Sequence, residues 1–186
     1  MNSLSLDEVC ELDPGFARLI AYWRSLTPAD AMAPCCDDFD LMAVYGIAPF
    51  LALVEVVPGE NEDFRFKWRF SGTGIRRILG AEITGKWVDE FVHDKTSYEK
   101  VRHSYLRVVH QVQPDFWECR IRIGSSIHAL HDSIDPAFDY RRLSLPLLDS
   151  AGEQVIRMVC YYSFSNDLGE HARGEPVAWI FANGKD

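Results

Sequence analysis

The chain has 186 residues, 47% hydrophobic and 25% charged, which fits one globular domain of ordinary composition with some added segments. Its net charge of −9 opposes binding to a phosphate backbone, so no nucleic-acid partner is expected. No apolar run approaches the roughly 20 residues needed to span a bilayer, and the acidic start MNSLSLDEVCELD lacks the regions of a secretory signal, so the expectation is a cytoplasmic protein without a membrane partner.

The charge is uneven. Residues 1–63 carry 12 acidic and 2 basic side chains, while the remainder carries 16 and 17. A solvated surface is the plain reading of the acidic part; a docking face for a basic partner is the other. Cys10, Cys35, Cys36, Cys119 and Cys160 are odd in number and irregular in spacing, without a zinc-type CxxC pair. Cys119 and Cys160 fall in predicted strands and read as small core residues.

Asp13-Pro14 opens a predicted helix, with Asp13 as cap and Pro14 at the first helical position. Phe16, Leu19, Ile20 and Trp23 recur at helical spacing until Thr27-Pro28. That apolar stripe packs either on its own domain or against a second copy, and a homodimer interface through these four residues is the expectation carried forward. Residues 28–40, PADAMAPCCDDFD, read as a linker, followed by a helical turn over Leu41–Tyr45. FLALVEVV, Phe50 to Val57, reads as a buried strand between two prolines, and PGENED as a connector. Next, Phe64, Phe66, Trp68 and Phe70 alternate with Arg65, Lys67 and Arg69, placing four aromatics on one face of a strand and three cations on the other. A sheet covered on one side only accounts for such a pattern.

A short helix then starts near Gly72 and Gly74, and a second short helical run ends at EFVHD. A longer helix runs from Thr96 to Val112, with Tyr98, Val101, Tyr105, Val108, Val109 and Val112 as its apolar stripe. Three strands follow: Trp117 to Ile123, Leu143 to Leu147 and Ile156 to Phe164. DSAGE, Asp149–Glu153, is the turn between the last two. The connector Gly124–Phe138 is long for a hairpin and has room for a flap or partner contact. The tail after Asn166 reads as irregular. Five strands with one apolar face and helices to cover it make an α+β domain.

This order resembles the PAS fold, in which two strands, a helical belt and a three-stranded antiparallel meander follow one another. The wording agrees at Gly80, Gly85, Lys86, Val92, His93 and Asp94, within GTGIRRILG and ITGKWVDEFVHDKTSYEKV, although the proline usual after that histidine is absent. YWRSL at Tyr22–Leu26, the FRFKWRFSGTGI join and YRRLSLPLL at Tyr140–Leu148 are similar to a narrower group of short, stand-alone bacterial PAS-like proteins. The resemblance implies a PAS-like five-stranded antiparallel sheet with a helical belt and an N-terminal helix. It divides the chain into an N-terminal helix and linker over 1–40, a PAS-like domain over 41–165 and a tail over 166–186.

The candidate chemistry is sparse. His93 suits the organisation of the turn before the long helix. His128, His131 and Asp132 in HALHD offer metal-type ligands without a third ligand set, so loop surface is the reading. Gly72-Thr73-Gly74 lacks the third glycine of a dinucleotide fingerprint, Arg77 standing in its place, and reads as helix-start geometry. Among flavin-binding photosensory relatives the reactive cysteine lies in an Asn-Cys-Arg context, which none of the five cysteines has. His103 and His110 are the candidates for a haem ligand on the long helix, but fall on its polar face. No catalytic residue and no metal site is assigned, and the cofactor is left unknown. Trp68, Ile75, Tyr98, Tyr105, Cys119, Leu143, Met158 and Tyr162 are the candidate walls of a small ligand pocket, or else of a filled core.

The expectation is therefore a sensory or regulatory module that is not an enzyme. It binds a small-molecule ligand, a signalling protein such as a kinase or regulator, or both, and acts by population shift. A structural adaptor with a filled core and, behind it, a small-molecule enzyme on a related α+β fold are the alternatives.

Overall fold

Local chemistry sets the start of the chain. In a computed structural model, residues 4–59, 63–79, 81–92, 95–122 and 137–164 are described, with 119–122 and 137–140 as backbone only. Helix α1, Leu6–Leu12, begins with a capping box: Ser5 accepts from the Glu8 N–H, and the Glu8 carboxylate accepts from the Ser5 N–H at 2.7 Å. Helix α2, Pro14–Leu26, is capped by Asp13, whose Oδ1 accepts from the Gly15 N–H at 2.7 Å. Leu41–Phe50 forms two 3-10 turns separated by a non-helical Val44, so the helical turn foreseen here extends up to the first strand.

Strands β1, Leu51–Pro58; β2, Phe64–Ser71; β3, Asp115–Arg122; β4, Ala137–Leu148; and β5, Val155–Phe164, form one antiparallel sheet in the order β2-β1-β5-β4-β3. Between β2 and β3 run α3, Thr73–Leu79; α4, Val88–Phe91; and α5, Lys95–Gln111. The register Arg122↔Ala137 brackets the long β3–β4 connector. Most of that connector, the tail, and Gly80, His93 and Asp94 lie outside the described residues.

The second face of the sheet is also covered in part, although Arg65 and Arg69 of β2 stay exposed as the alternation implied. Belt helices α3 to α5 cover the first face, where Phe66 meets Tyr105 of α5 at 5.1 Å between ring centroids and Trp68 meets Phe91 of α4 at 5.7 Å. Helix α2 covers the second face: Phe16 packs edge-on against Tyr161 and Phe116, at 5.1 and 5.7 Å. This corrects the expected dimer interface. Phe16 and Leu19 are fully buried, and Ile20 and Trp23 are at most 5% exposed, all within a single chain. The stripe is used up on the chain's own sheet and offers no surface to a second copy.

A bulge also changes the aromatic pattern of β2. Val54 faces Trp68, but Leu53 faces Phe70, so Arg69 is an extra residue in that strand. The inserted residue reverses the facing of everything beyond it. Ser71 rather than Phe70 then lies opposite Ala52, and Phe70 leaves the face shared by Phe66 and Trp68.

Both sheet edges are partly closed. Along β2, the Trp68 N–H donates to the Lys86 carbonyl at 3.0 Å and the Gly85 N–H to the Trp68 carbonyl at 2.6 Å. Gly85 has φ +81, which explains a glycine in the ITGKW turn. Along β4, the paired part of β3 begins at Asp115↔Ser144, so Pro146 needs no ladder donor there. The Trp23 indole N–H donates to the Pro146 carbonyl at 2.8 Å, and the Leu148 N–H donates to Pro34 at 2.9 Å. Residues assigned to a separate linker thus complete the sheet.

Two outcomes follow. A Cβ at Gly15 would overlap the Tyr161 ring, so Gly15→Ala is expected to destabilise the fold by about 1–3 kcal/mol, read by urea denaturation; an unchanged midpoint would sink this account of the α2–β5 contact. In the β4–β5 turn, the Asp149 carboxylate accepts from the N–H groups of Glu153 and Gln154 at 2.8 and 3.3 Å, and these bonds hold its pKa below the usual carboxylate range. The stability advantage of wild type over Asp149→Ala is therefore expected to be full near neutral pH and to fade as pH falls through that lowered pKa. Denaturation of both proteins at about pH 6 and about pH 2.5 reads this, and a pH-independent difference speaks against it.

Candidate functional site

Between the sheet and the helical belt lies a cavity of about 40 Å³. At roughly 10–15 Å³ per water, it has room for about three waters. Trp68 of β2 and Tyr162 of β5 form part of its floor. Ile75 and Leu79 of α3, Ile83, Phe91, Val92 and the α5 residues Val101 and Tyr105 line the belt side. Arg142 and Phe164 complete the wall. The surface that the wall turns to the cavity is almost wholly apolar.

Arg142 is the charged side chain of the wall among the described residues. It is 1% exposed, although a guanidinium is seldom found wholly buried. Its Nη2 donates to Ser104 Oγ at 2.7 Å, and its guanidinium carbon lies 4.4 Å from the Tyr105 ring centroid and 4.9 Å from that of Trp117. Two electron-rich ring faces and a hydroxyl thus replace part of the water lost on burial. Ser104 passes the interaction on by donating to Asp115 Oδ2. Asp115 Oδ1 accepts from Arg107 Nε and Nη2 at 3.0 and 2.7 Å, and Arg107 is half exposed. A polar chain therefore runs from the cavity wall through Ser104 and Asp115 to the surface.

The two tyrosines add hydroxyls beside Arg142. Tyr105 and Tyr162 oxygens stand 3.4 Å apart, both buried. Burial, reinforced by Tyr105 and Cys160, pushes the Tyr162 phenol well above its ordinary value, so it stays protonated and able to donate. Cys160 Sγ lies 3.4 Å from Ser144 Oγ, and burial keeps this thiol in its neutral form. The indole N–H of Trp68 is buried and has no hydrogen-bond partner among the described residues.

The structure brings Trp68, Ile75, Tyr105 and Tyr162 of the sequence-derived set together on the cavity wall. Tyr98 is half buried on α5 and stands off the wall. Met158 is fully buried opposite Val54, off the wall as well. Leu143 is fully buried but pairs with Phe116 and Tyr161, which places it on the α2 face of the sheet. The Cys119 side chain lies outside the described residues. Sequence reasoning missed Arg142, Leu79, Ile83, Phe91, Val92, Val101 and Phe164. Taking Leu143 as the wall residue of β4 put its neighbour Arg142 on the opposite face, and the structure reverses the two.

The other candidates resolve simply. A Cβ at Gly72 would collide with the Ala48 and Pro49 carbonyls, and one at Gly74 with Phe50 and Pro49. Close backbone approach requires both glycines, and residues 48–50 occupy the space beside them. His103 and His110 are exposed on α5. Among the described residues no group of three or more His, Cys, Asp or Glu side chains is placed to hold a metal ion, and HALHD lies outside them. No helix among the described residues is long and apolar enough to cross a membrane.

Two strands, a helical belt and a three-stranded meander closing one antiparallel sheet are the arrangement that the sequence resembles. The fold is PAS-like. No family model matches the chain, and no curated protein does. Among solved structures, it is similar to a sensory box histidine kinase/response regulator from Burkholderia thailandensis E264, with 19% identity and a TM-score of 0.37 over 68% of this chain and 84% of that one. It is also similar to an RNA-binding light-oxygen-voltage receptor, with 14% identity and a TM-score of 0.39 over 76% of this chain and 38% of that one.

Ser104 tests the polar chain. Ser104→Ala is expected to cost about 1–3 kcal/mol, because it removes the bridge between buried Arg142 and Asp115. The gain in helix propensity of a few tenths of a kcal/mol does not offset that loss. Guanidinium denaturation of wild type and variant reads the difference, and a neutral substitution would show that the bridge carries no energy.

Proposed function

We propose that the chain is a sensory or regulatory module that binds a small ligand in the cavity between sheet and belt. The observation that carries this reading is the cavity itself: an apolar hollow with Arg142, Tyr105 and Tyr162 among its lining residues, and a wall made by both the sheet and the layer of short helices laid over it. A mostly apolar lining with a few polar groups is what receives a small organic ligand. A filled core, the property of a purely structural adaptor, fits the cavity less well.

The output is a change of contacts. Strand β5 carries Tyr162 to the cavity, while its neighbours Tyr161 and Ser163 serve the opposite face. Both donate to Asp13, to Oδ1 at 3.1 Å and to Oδ2 at 2.7 Å, and Asp13 is the cap of α2. A ligand that favours one packing of Tyr162 biases the strand that holds the start of α2, by differential affinity for two arrangements. The module then presents α2 and its surroundings differently to a signalling protein such as a kinase or regulator.

Native mass spectrometry of the purified chain, followed by a fragment screen using isotope-labelled protein, tests the reading. The expected result is a retained or added small molecule whose chemical-shift changes centre on Trp68, Ile75, Val101 and Tyr162 and extend to Asp13–Gly15. Binding confined to other surfaces, or no binding by any fragment, would overturn it.

A further inference from the structure

We propose that residues 39–45, together with the outer side of α2, form a docking surface for a basic amphipathic helix of a partner protein. This rests on the regulatory-module reading above and adds the output surface and the chemistry of what it meets. It does not depend on which ligand the cavity takes.

The stretch is tied to α2 at two points about one helical turn apart. At the first, the Tyr22 ring meets that of Phe39 at 5.4 Å, and the Tyr22 hydroxyl oxygen accepts from the Asp40 N–H at 3.0 Å. At the second, the Arg18 guanidinium lies 5.8 Å from the Tyr45 ring centroid. Between them, Asp40 Oδ1 accepts from the Met42 N–H at 2.8 Å, and Val44 is buried in the core. With Val44 turned inward, Met42 and Tyr45 are left outside. They are 70% and 68% exposed, the highest values for large apolar side chains among the described residues. Single apolar side chains at a surface are ordinary. These two share one anchored stretch with half-buried Phe39 and Tyr22. Methionine is an adaptable contact and tyrosine a large one with a polar tip.

Charge selects the partner. Between Arg24 and Arg65 the chain has no Lys, Arg or His. Asp37, Asp38 and Asp40 are exposed, and none of the three is in an ion pair among the described residues. Arg18 is the cation of this surface, and it lies over the Tyr45 ring. An acidic border repels anionic lipid and nucleic acid and attracts a cationic segment. A basic amphipathic helix matches both parts: its apolar stripe meets Met42 and Tyr45, and Lys or Arg on its flanks meet the three aspartates. The surface shares α2 with Asp13, which accepts from Tyr161 and Ser163 of β5. A shift of β5 taken up at Asp13 reaches the docking face through the helix that carries part of it.

The test is a nuclear magnetic resonance titration of the labelled full chain with a synthetic amphipathic helix of leucine and lysine, and with the same peptide carrying glutamate for lysine. The lysine peptide is expected to shift the signals of Met42, Tyr45 and residues 37–40, and to bind at least about tenfold more tightly than the glutamate peptide. Met42→Ser combined with Tyr45→Ser alters exposed side chains only and is expected to weaken the lysine peptide about tenfold. Asp37→Asn combined with Asp38→Asn is expected to weaken it about threefold and to flatten its salt dependence. Shifts confined to other surfaces, equal binding of the glutamate peptide, or unchanged affinity of both variants overturns the docking proposal. Self-association in sedimentation that Met42→Ser with Tyr45→Ser abolishes gives the surface to a second copy instead. Overhauser contacts from the Met42 methyl to residues 166–186 give it to the chain's own tail, and either result overturns the partner assignment. Fragment binding in the cavity is read separately, so its failure overturns the ligand reading and leaves this one standing.

Discussion

Arg142 carries a full positive charge into the interior, and much of the surrounding architecture serves to keep it there. A buried guanidinium is tolerated only where hydrogen bonds and polarisable faces replace its water. Here Ser104, the rings of Tyr105 and Trp117, and the Asp115 carboxylate beyond Ser104 do so. Those groups come from α5 and β3, so the arginine on β4 fixes how the long helix lies across the meander. The same side chain forms part of the cavity wall.

Strand β5 is the second organising element. It is the central strand, and its residues are buried toward both layers. Consecutive residues Tyr161, Tyr162 and Ser163 address α2, the cavity and α2 in turn. Because side chains of a strand alternate between faces, one backbone shift is felt on both sides at once. That geometry is what the proposed coupling between a ligand in the belt layer and the helix on the far side would use.

The strands and the two longer helices were legible because their apolar residues recur at periods of two and 3.6. Helix α2 was readable from Asp13-Pro14 and its stripe, but what the stripe packs on was not, since a helix face looks alike whether it meets its own sheet or a second copy. Helix α1 went unread although Ser5 and Glu8 spell a capping box. The face of Phe70 was misjudged because no residue in FRFKWRFS announces the bulge at Arg69. Four of the eleven described residues of the cavity wall were legible: Trp68, Ile75, Tyr105 and Tyr162. The remainder belongs to short helices, whose few residues do not establish a period, and to Arg142, whose burial depends on a layer remote in sequence.

The bonds from Trp23 and Pro34 to the far end of β4 have a consequence for how the chain divides. By sequence pattern a boundary falls near residue 40, ahead of the first strand. By structure it does not, because a fragment cut there loses the helix on one sheet face and the cap of one sheet edge together. Such a fragment presents a broad greasy surface beside unpaired backbone groups, the combination that favours self-association. The smallest unit that folds cleanly therefore includes α2 and the stretch after it, and any transplantation of this module into another protein must carry them along.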